Sequence, residues 1–216
     1  MTWHQRIVGA IVRTLFRLLL SWEARGRENV PPTGPLIVIA NHVHLFDPIL
    51  LLISFPRWVS FMAKEELFRN PFLRPILRWA QVFVVRRQGT TAEKRQAIEQ
   101  AKDLLDRGLV IGMFPEGKRS REGKLLPGRT GSARIASQTG VFLLPVGITG
   151  TDKIKGITWL WRRPHIIVNI GQPFRLPSFD GRLNKTQLQL LTTNLMSEIA
   201  VLLPPEYQGA YGERTD

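Results

Sequence analysis

The chain contains no cysteine. That excludes a disulfide scaffold, a cysteine zinc site, an iron–sulfur cluster and a thiol nucleophile. Acidic charge is scarce: 17 Asp and Glu stand against 30 Lys and Arg, a formal net charge of +13. There is no uninterrupted apolar run of the roughly 18 residues that a membrane-spanning helix needs. The N-terminus is not expected to act as a secretory leader, because Arg13 and Arg17 break its apolar stretch and no small-residue cleavage site follows. The expectation is a protein kept on the cytoplasmic side. The patterns G-x-S-x-G, H-E-x-x-H and G-x-G-x-x-G are absent, so no motif supports a serine hydrolase, a zinc protease or a dinucleotide enzyme.

What is present is a globular composition: 216 residues, 44% hydrophobic and 22% charged. This suits one domain with a small appendage. The positive surplus favours a polyanionic partner: nucleic acid, anionic lipid headgroups or a phosphorylated substrate.

Residues 3–25 read as a basic amphipathic helix. Trp3, Ile7, Ile11, Leu15, Leu18 and Leu19 form one stripe, with Arg6, Arg13 and Arg17 off it. Such a helix can lie on an anionic membrane surface or pack on the domain body. We therefore divide the chain into this segment, 1–27, and an α/β domain, 28–216. In the domain, apolar strands are expected at 36–40, 58–62, 81–85, 109–114, 142–148 and 165–170. Helices are expected at 48–55, 71–79, 90–107, 130–138 and 185–203. Asp47 should cap the first of these, and Thr90 with Glu93 should form a capping box on the third. Alternating strands and helices predict a mostly parallel or mixed central sheet flanked by helices. Trp58, Trp79, Trp159 and Trp161 lie in or beside apolar runs and are expected mostly in the core.

In such folds chemistry gathers where strands end. The run 36–40 leads into Asn41, His42, Val43, His44, Leu45, Phe46, Asp47 and Pro48. On a continuous helix His42 and Asp47 would lie on different faces. Pro48 delays the helix, so the chain between them can turn, and Asp47 can then orient His42 as a general base. The bland alternative is a solvated histidine and a plain cap. A second strand end carries Phe114, Pro115, Glu116, Gly117, Lys118 and Arg119, where cations and a glycine turn suit a phosphate. The third carries Arg86 and Arg87, and Lys64 is a weaker candidate of the same kind. Gly112, Gly117 and Lys118 nearly spell a phosphate-binding loop. However, Arg119 replaces the Mg²⁺-binding hydroxyl and Pro115 removes a cradle N–H.

These blocks together resemble the glycerolipid acyltransferase family. NHVHLFDP is similar to its first block, QVFVVR to the second, FPEGKRSREGKL to the third and LLPVGITGTDKI to the fourth. The resemblance implies transfer of an acyl chain from acyl-CoA or acyl-carrier protein to a lysophospholipid hydroxyl, without a metal, a cofactor or an acyl-enzyme. 1-Acyl-glycerol-3-phosphate is the acceptor it suggests first, with phosphatidic acid as product. A lyso-ornithine lipid, another lysophospholipid or glycerol 3-phosphate are the alternatives. By the same resemblance His42 and Asp47 are catalytic, and Lys64, Arg86, Glu116, Gly117 and Arg119 bind the acceptor. Departures from the pattern are His44 for a common Ser, Lys118 for a common Thr, and Ala80-Gln81 for a glycine-centred pair. The implied location is peripheral or monotopic, on the cytoplasmic face of an anionic membrane. A non-catalytic basic module that binds nucleic acid or membrane is the competing class, and no nucleic-acid partner is expected.

Overall fold

The computed structural model describes residues 3–64, 71, 74, 83–85, 91–177 and 183–212. Helix α1 (Trp3–Leu19) leads into strand β1 (Ser21–Arg25), followed by β2 (Leu36–Ala40), α2 (Asp47–Ser54), β3 (Val59–Lys64) and β4 (Phe83–Val85). Then come α3 (Thr91–Asp106), β5 (Val110–Met113), α4 (Thr130–Thr139), β6 (Leu143–Thr149), the single turn α5 (Trp159–Arg162), β7 (His165–Ile170) and α6 (Lys185–Ala200). The helix expected at 71–79 and the capping box at Thr90 fall largely outside the described residues.

The described strands form one sheet in the order β1-β7-β6-β2-β5-β3-β4. Every pairing is parallel except β6 with β7. β2 sits at the centre. Its five residues are all buried because helices cover both faces. Alternation sends Leu36, Val38 and Ala40 to one face, where they meet Phe16 of α1 and Leu50, Leu51 and Ile53 of α2. Ile37 and Ile39 point the other way, onto Leu105 of α3, Ile135 of α4 and Leu195 and Ile199 of α6. α6 starts at a capping box: Asn184 accepts from the Gln187 N–H, and the Gln187 side chain accepts from the Asn184 N–H.

The helix expected over 3–25 stops at Leu19. Residues 21–25 are an edge strand with alternating exposure. Trp22 and Ala24 turn toward the core, while Ser21, Glu23 and Arg25 face solvent. Glu, Ala and Arg are good helix formers, but in-register parallel pairing with β7 from Ser21–His165 to Arg25–Asn169 overrides that preference. The Glu23–Arg25 ion pair at 2.9 Å charges this edge. Of the four tryptophans expected mostly in the core, Trp58 is half-buried, Trp79 lies outside the described residues, and Trp161 departs from the expectation. Trp159 packs partly on the core, but Trp161 is 89% exposed.

Candidate active site

β2 and β5 are paired in register from Leu36–Val110 to Ile39–Met113. Their carboxyl ends are therefore neighbours, and the loops that follow, one with His42 and one with Glu116, must meet. Asn41 fixes the exit from β2. Its amide donates to the Ile148 carbonyl at 2.8 Å and accepts from the Ile148 N–H at 2.7 Å, so a buried side chain continues the ladder with β6. Asn41→Ala should leave both buried backbone groups unpaired and cost about 3 kcal/mol, read as a shift in the urea midpoint.

Past Asn41 the chain turns, and His42 meets Asp47. The imidazole Nδ1 lies 2.9 Å from Asp47 Oδ2. Asp47 is fully buried, and the same oxygen accepts the N–H groups of Val43 and His44, each at 2.7 Å. The expected cap role is not what is found. Asp47 is the first residue of α2, Phe46 is the N-cap, and the carboxylate faces back onto the preceding loop. Since this carboxylate only accepts, His42 Nδ1 carries the proton and Nε2 keeps its lone pair. The ring stacks on Phe114 (centroids 4.2 Å apart, 22° between planes), which in turn stacks on Phe61.

The second imidazole takes the opposite tautomer. His44 Nδ1 accepts the Phe46 N–H at 3.3 Å, so its proton sits on Nε2. Burial, with Arg119 and His42 adding, holds the His44 pKa below its ordinary value against the pull of Asp47. His44 is therefore a neutral donor, and His42 is the imidazole with a lone pair to offer.

The Glu116 loop docks onto the histidine loop at two points. The His42 N–H donates to Glu116 Oε1 at 2.6 Å, and the Ser120 N–H donates to the His42 carbonyl at 2.7 Å. Glu116 Oε2 accepts the Leu126 N–H at 2.9 Å. The carboxyl is only 2% exposed. Burial pushes its pKa up to about 7 against the two backbone hydrogen bonds, and Asp47 adds to the rise. Gly117 makes the turn: its N–H reaches the Phe114 carbonyl, its φ is 70°, and a Cβ there would meet the Arg129 side chain. Gly112, the other glycine of the near phosphate-loop pattern, is a strand residue whose missing Cβ makes room for the Phe61 ring. Lys118 and Arg119 are exposed, and Arg119 is close enough to His44 to depress its pKa.

Of the sequence candidates, His42, Asp47, Glu116, Gly117 and Arg119 thus come together. Lys64 closes β3 opposite Val85 of β4, but its side chain, like Arg86, lies outside the described residues. Sequence reasoning missed Asn41, Ser120 and Phe61. Only Asn41 left a signal, as the polar residue that ends an apolar strand.

The Acyltransferase family model matches residues 21–149. A 1-acyl-sn-glycerol-3-phosphate acyltransferase of Borreliella burgdorferi is 32% identical over 127 residues, 59% of this chain and 50% of that protein. The protein of the same name from Bacillus subtilis is 27% identical over 177 residues, covering 82% and 85% respectively. The crystal structure of the 1-acyl-sn-glycerophosphate (LPA) acyltransferase PlsC from Thermotoga maritima superposes with a TM-score of 0.65 at 29% identity. That match covers 88% of this chain and 77% of that one. Against the Borreliella protein and the chloroplastic one of Brassica napus, the chain spans half the length or less, 50% and 38%. The match over 21–149 contains both loops of the site, and the chain belongs to the Acyltransferase family.

Proposed function

We propose that the protein transfers a fatty acyl chain from an acyl thioester to the free hydroxyl of 1-acyl-glycerol-3-phosphate, forming phosphatidic acid. The observation that carries this reading is the single imidazole whose Nε2 is free while Nδ1 is held by a buried carboxylate. Nε2 takes the proton of the acceptor hydroxyl as its oxygen attacks the thioester carbonyl. Asp47 stabilises the resulting imidazolium. The tetrahedral intermediate collapses with loss of the thiolate, which recovers the proton from His42. No acyl-enzyme is needed, because the acceptor oxygen itself is the nucleophile.

Arg119 supplies a cation beside the histidine loop for the acceptor phosphate. Arg119→Ala should raise the KM for a phosphate-bearing acceptor by about tenfold while kcat changes little. An unchanged KM would remove Arg119 from the site. The reading as a whole is tested with a panel of acceptors: lysophosphatidate, lyso-ornithine lipid, another lysophospholipid and glycerol 3-phosphate. Each is offered with acyl-CoA or acyl-carrier protein, and the products are read by lipid mass spectrometry.

Membrane attachment through α1 completes the proposal. Phe16 and Leu20 secure the helix end to the core, while Trp3, Ile7, Ile11, Leu15 and Leu18 are exposed. These five side chains make up the outward part of the stripe, while its sixth member, Leu19, packs on the core. Arg6, Arg13 and Arg17 fall in one row beside it. An apolar stripe edged by cations suits an anionic bilayer surface. Among the described residues no helix is long and apolar enough to cross a membrane.

A further inference from the structure

The connection between β6 and β7 exposes apolar surface of its own. Its single turn α5 is anchored from within. Ile154 is buried, and Trp159 packs edge-on against Phe46, with centroids 6.0 Å apart. Phe46 meets Phe16 of α1 in the same way at 5.5 Å. The aromatic chain Phe16–Phe46–Trp159 thus joins α1, the histidine loop and this connection. On the outer side Ile157 is 74% and Trp161 89% exposed, in a segment whose other exposed side chains include Lys153, Lys155, Arg162 and Arg163.

Arg163 ties the connection to α1. It is the only described non-glycine residue with positive φ, at 41°, a conformation that costs a side-chain-bearing residue free energy. In that conformation its N–H closes the turn on the Trp159 carbonyl, and its guanidinium donates to the Arg17 carbonyl at 3.0 Å. Beneath this tie lies a recess of about 490 Å³, lined by Arg17, Leu20, Ser21, Trp22 and Arg163. The two guanidiniums make it cationic.

We propose that residues 155–163 are a second foot on the membrane. Trp161 and Ile157 enter the lipid interface, and Arg17 and Arg163 hold the phosphate of an anionic phospholipid that is not the substrate. The proposal rests on the membrane reading of α1 and extends it to a separate element. Exposed tryptophan beside arginine is the chemistry of a bilayer interface, where the indole sits at headgroup depth and the guanidinium meets phosphate. Two feet joined through Phe46 fix the tilt of the molecule. They hold the histidine loop, with its exposed Leu45, toward the lipid that carries the acceptor.

The test is co-sedimentation of the full chain with phosphatidylcholine vesicles, with and without phosphatidylglycerol. Three variants are compared with the wild type: Ile157→Ser with Trp161→Ser, Arg163→Gly, and, on α1, Ile7→Ser with Ile11→Ser. Glycine is chosen at 163 because it accepts the positive φ, so the fold is kept while the guanidinium is lost. Loss of the two apolar residues should weaken binding to both vesicles by about tenfold. Arg163→Gly should weaken binding by a similar factor, but only where phosphatidylglycerol is present. Brominated lipid should quench a fluorescence component that Trp161→Phe removes.

If the α1 variant detaches while the 157/161 pair and Arg163→Gly bind like wild type, the second foot is refuted and the α1 reading stands. Absence of binding by the wild type would overturn both. A change in oligomeric state without lipid, in place of a change in vesicle binding, would assign the surface to a second copy of the chain and reject the lipid proposal.

Discussion

His42→Ala should reduce acyl transfer by about 10³- to 10⁴-fold and leave the fold intact. Among the described residues the site uses the ring at two points: Nδ1 on Asp47 and the face on Phe114. The backbone of residue 42, which carries the bonds to Glu116 and Ser120, is kept by alanine. A circular dichroism spectrum and urea midpoint near wild type, together with lost turnover, is the expected pair of results. His44 cannot take over, because its Nδ1 lone pair is occupied by the Phe46 N–H. Near-normal turnover in the variant would reject His42 as the base. If His44→Ala abolished turnover while His42→Ala did not, the two tautomer assignments would have to be exchanged.

Glu116→Gln should lower kcat by about 10²-fold through misplacement of His42. Both carboxylate oxygens accept backbone N–H groups, from His42 and from Leu126. An amide offers one acceptor and sets an NH₂ against the other N–H, so one bond is lost and the histidine loop loosens. The KM for the acceptor should hold nearly constant. A raised KM with kcat preserved would instead give Glu116 direct contact with the acceptor, the role the family resemblance implies. With Glu116 pushed up to about 7, the ionised form that accepts both bonds is reached only as pH rises through neutrality, and kcat should rise over the same range.

The stability consequence has the opposite sign. The folded pKa lies above the ordinary 4.5, so folding favours the protonated carboxyl. That contribution is complete below pH 4.5 and is lost as pH climbs to about 7, after which it is flat. Relative to Glu116→Gln, wild type should lose about 3 kcal/mol across that window, measured by urea unfolding at several pH values. A flat difference would mean that the folded carboxyl ionises at its ordinary value, with no upward shift.

The central strand and the two loop motifs were legible because each rests on local chemistry. An apolar run bounded by Pro35 and Asn41 has few outcomes other than a buried strand, and Pro48 dictates where the helix can begin. The edge strand at 21–25 was not legible. Its residues suit a helix, and only the register with β7, more than a hundred residues away, makes them extended. Trp161 misled for a similar reason. It sits in an apolar run, but the turn at Trp159–Arg162 sends neighbouring aromatic rings to opposite sides, one to Phe46 and one to solvent.

The sequence alone determined the alternation of strands and helices, the apolar stripe of α1, and the five-residue spacing that lets Asp47 reach His42. These follow from side-chain type and from steric limits acting over a few residues. Only the tertiary structure decided which imidazole keeps a lone pair, that Glu116 is turned inward onto the His42 backbone, and that the apolar stripe of α1, Leu19 apart, faces away from the core. The physical reason is that hydrogen-bond partnership and burial depend on neighbours set by sheet order. Parallel pairing of β2 with β5 brings together loops that lie about seventy residues apart in the chain.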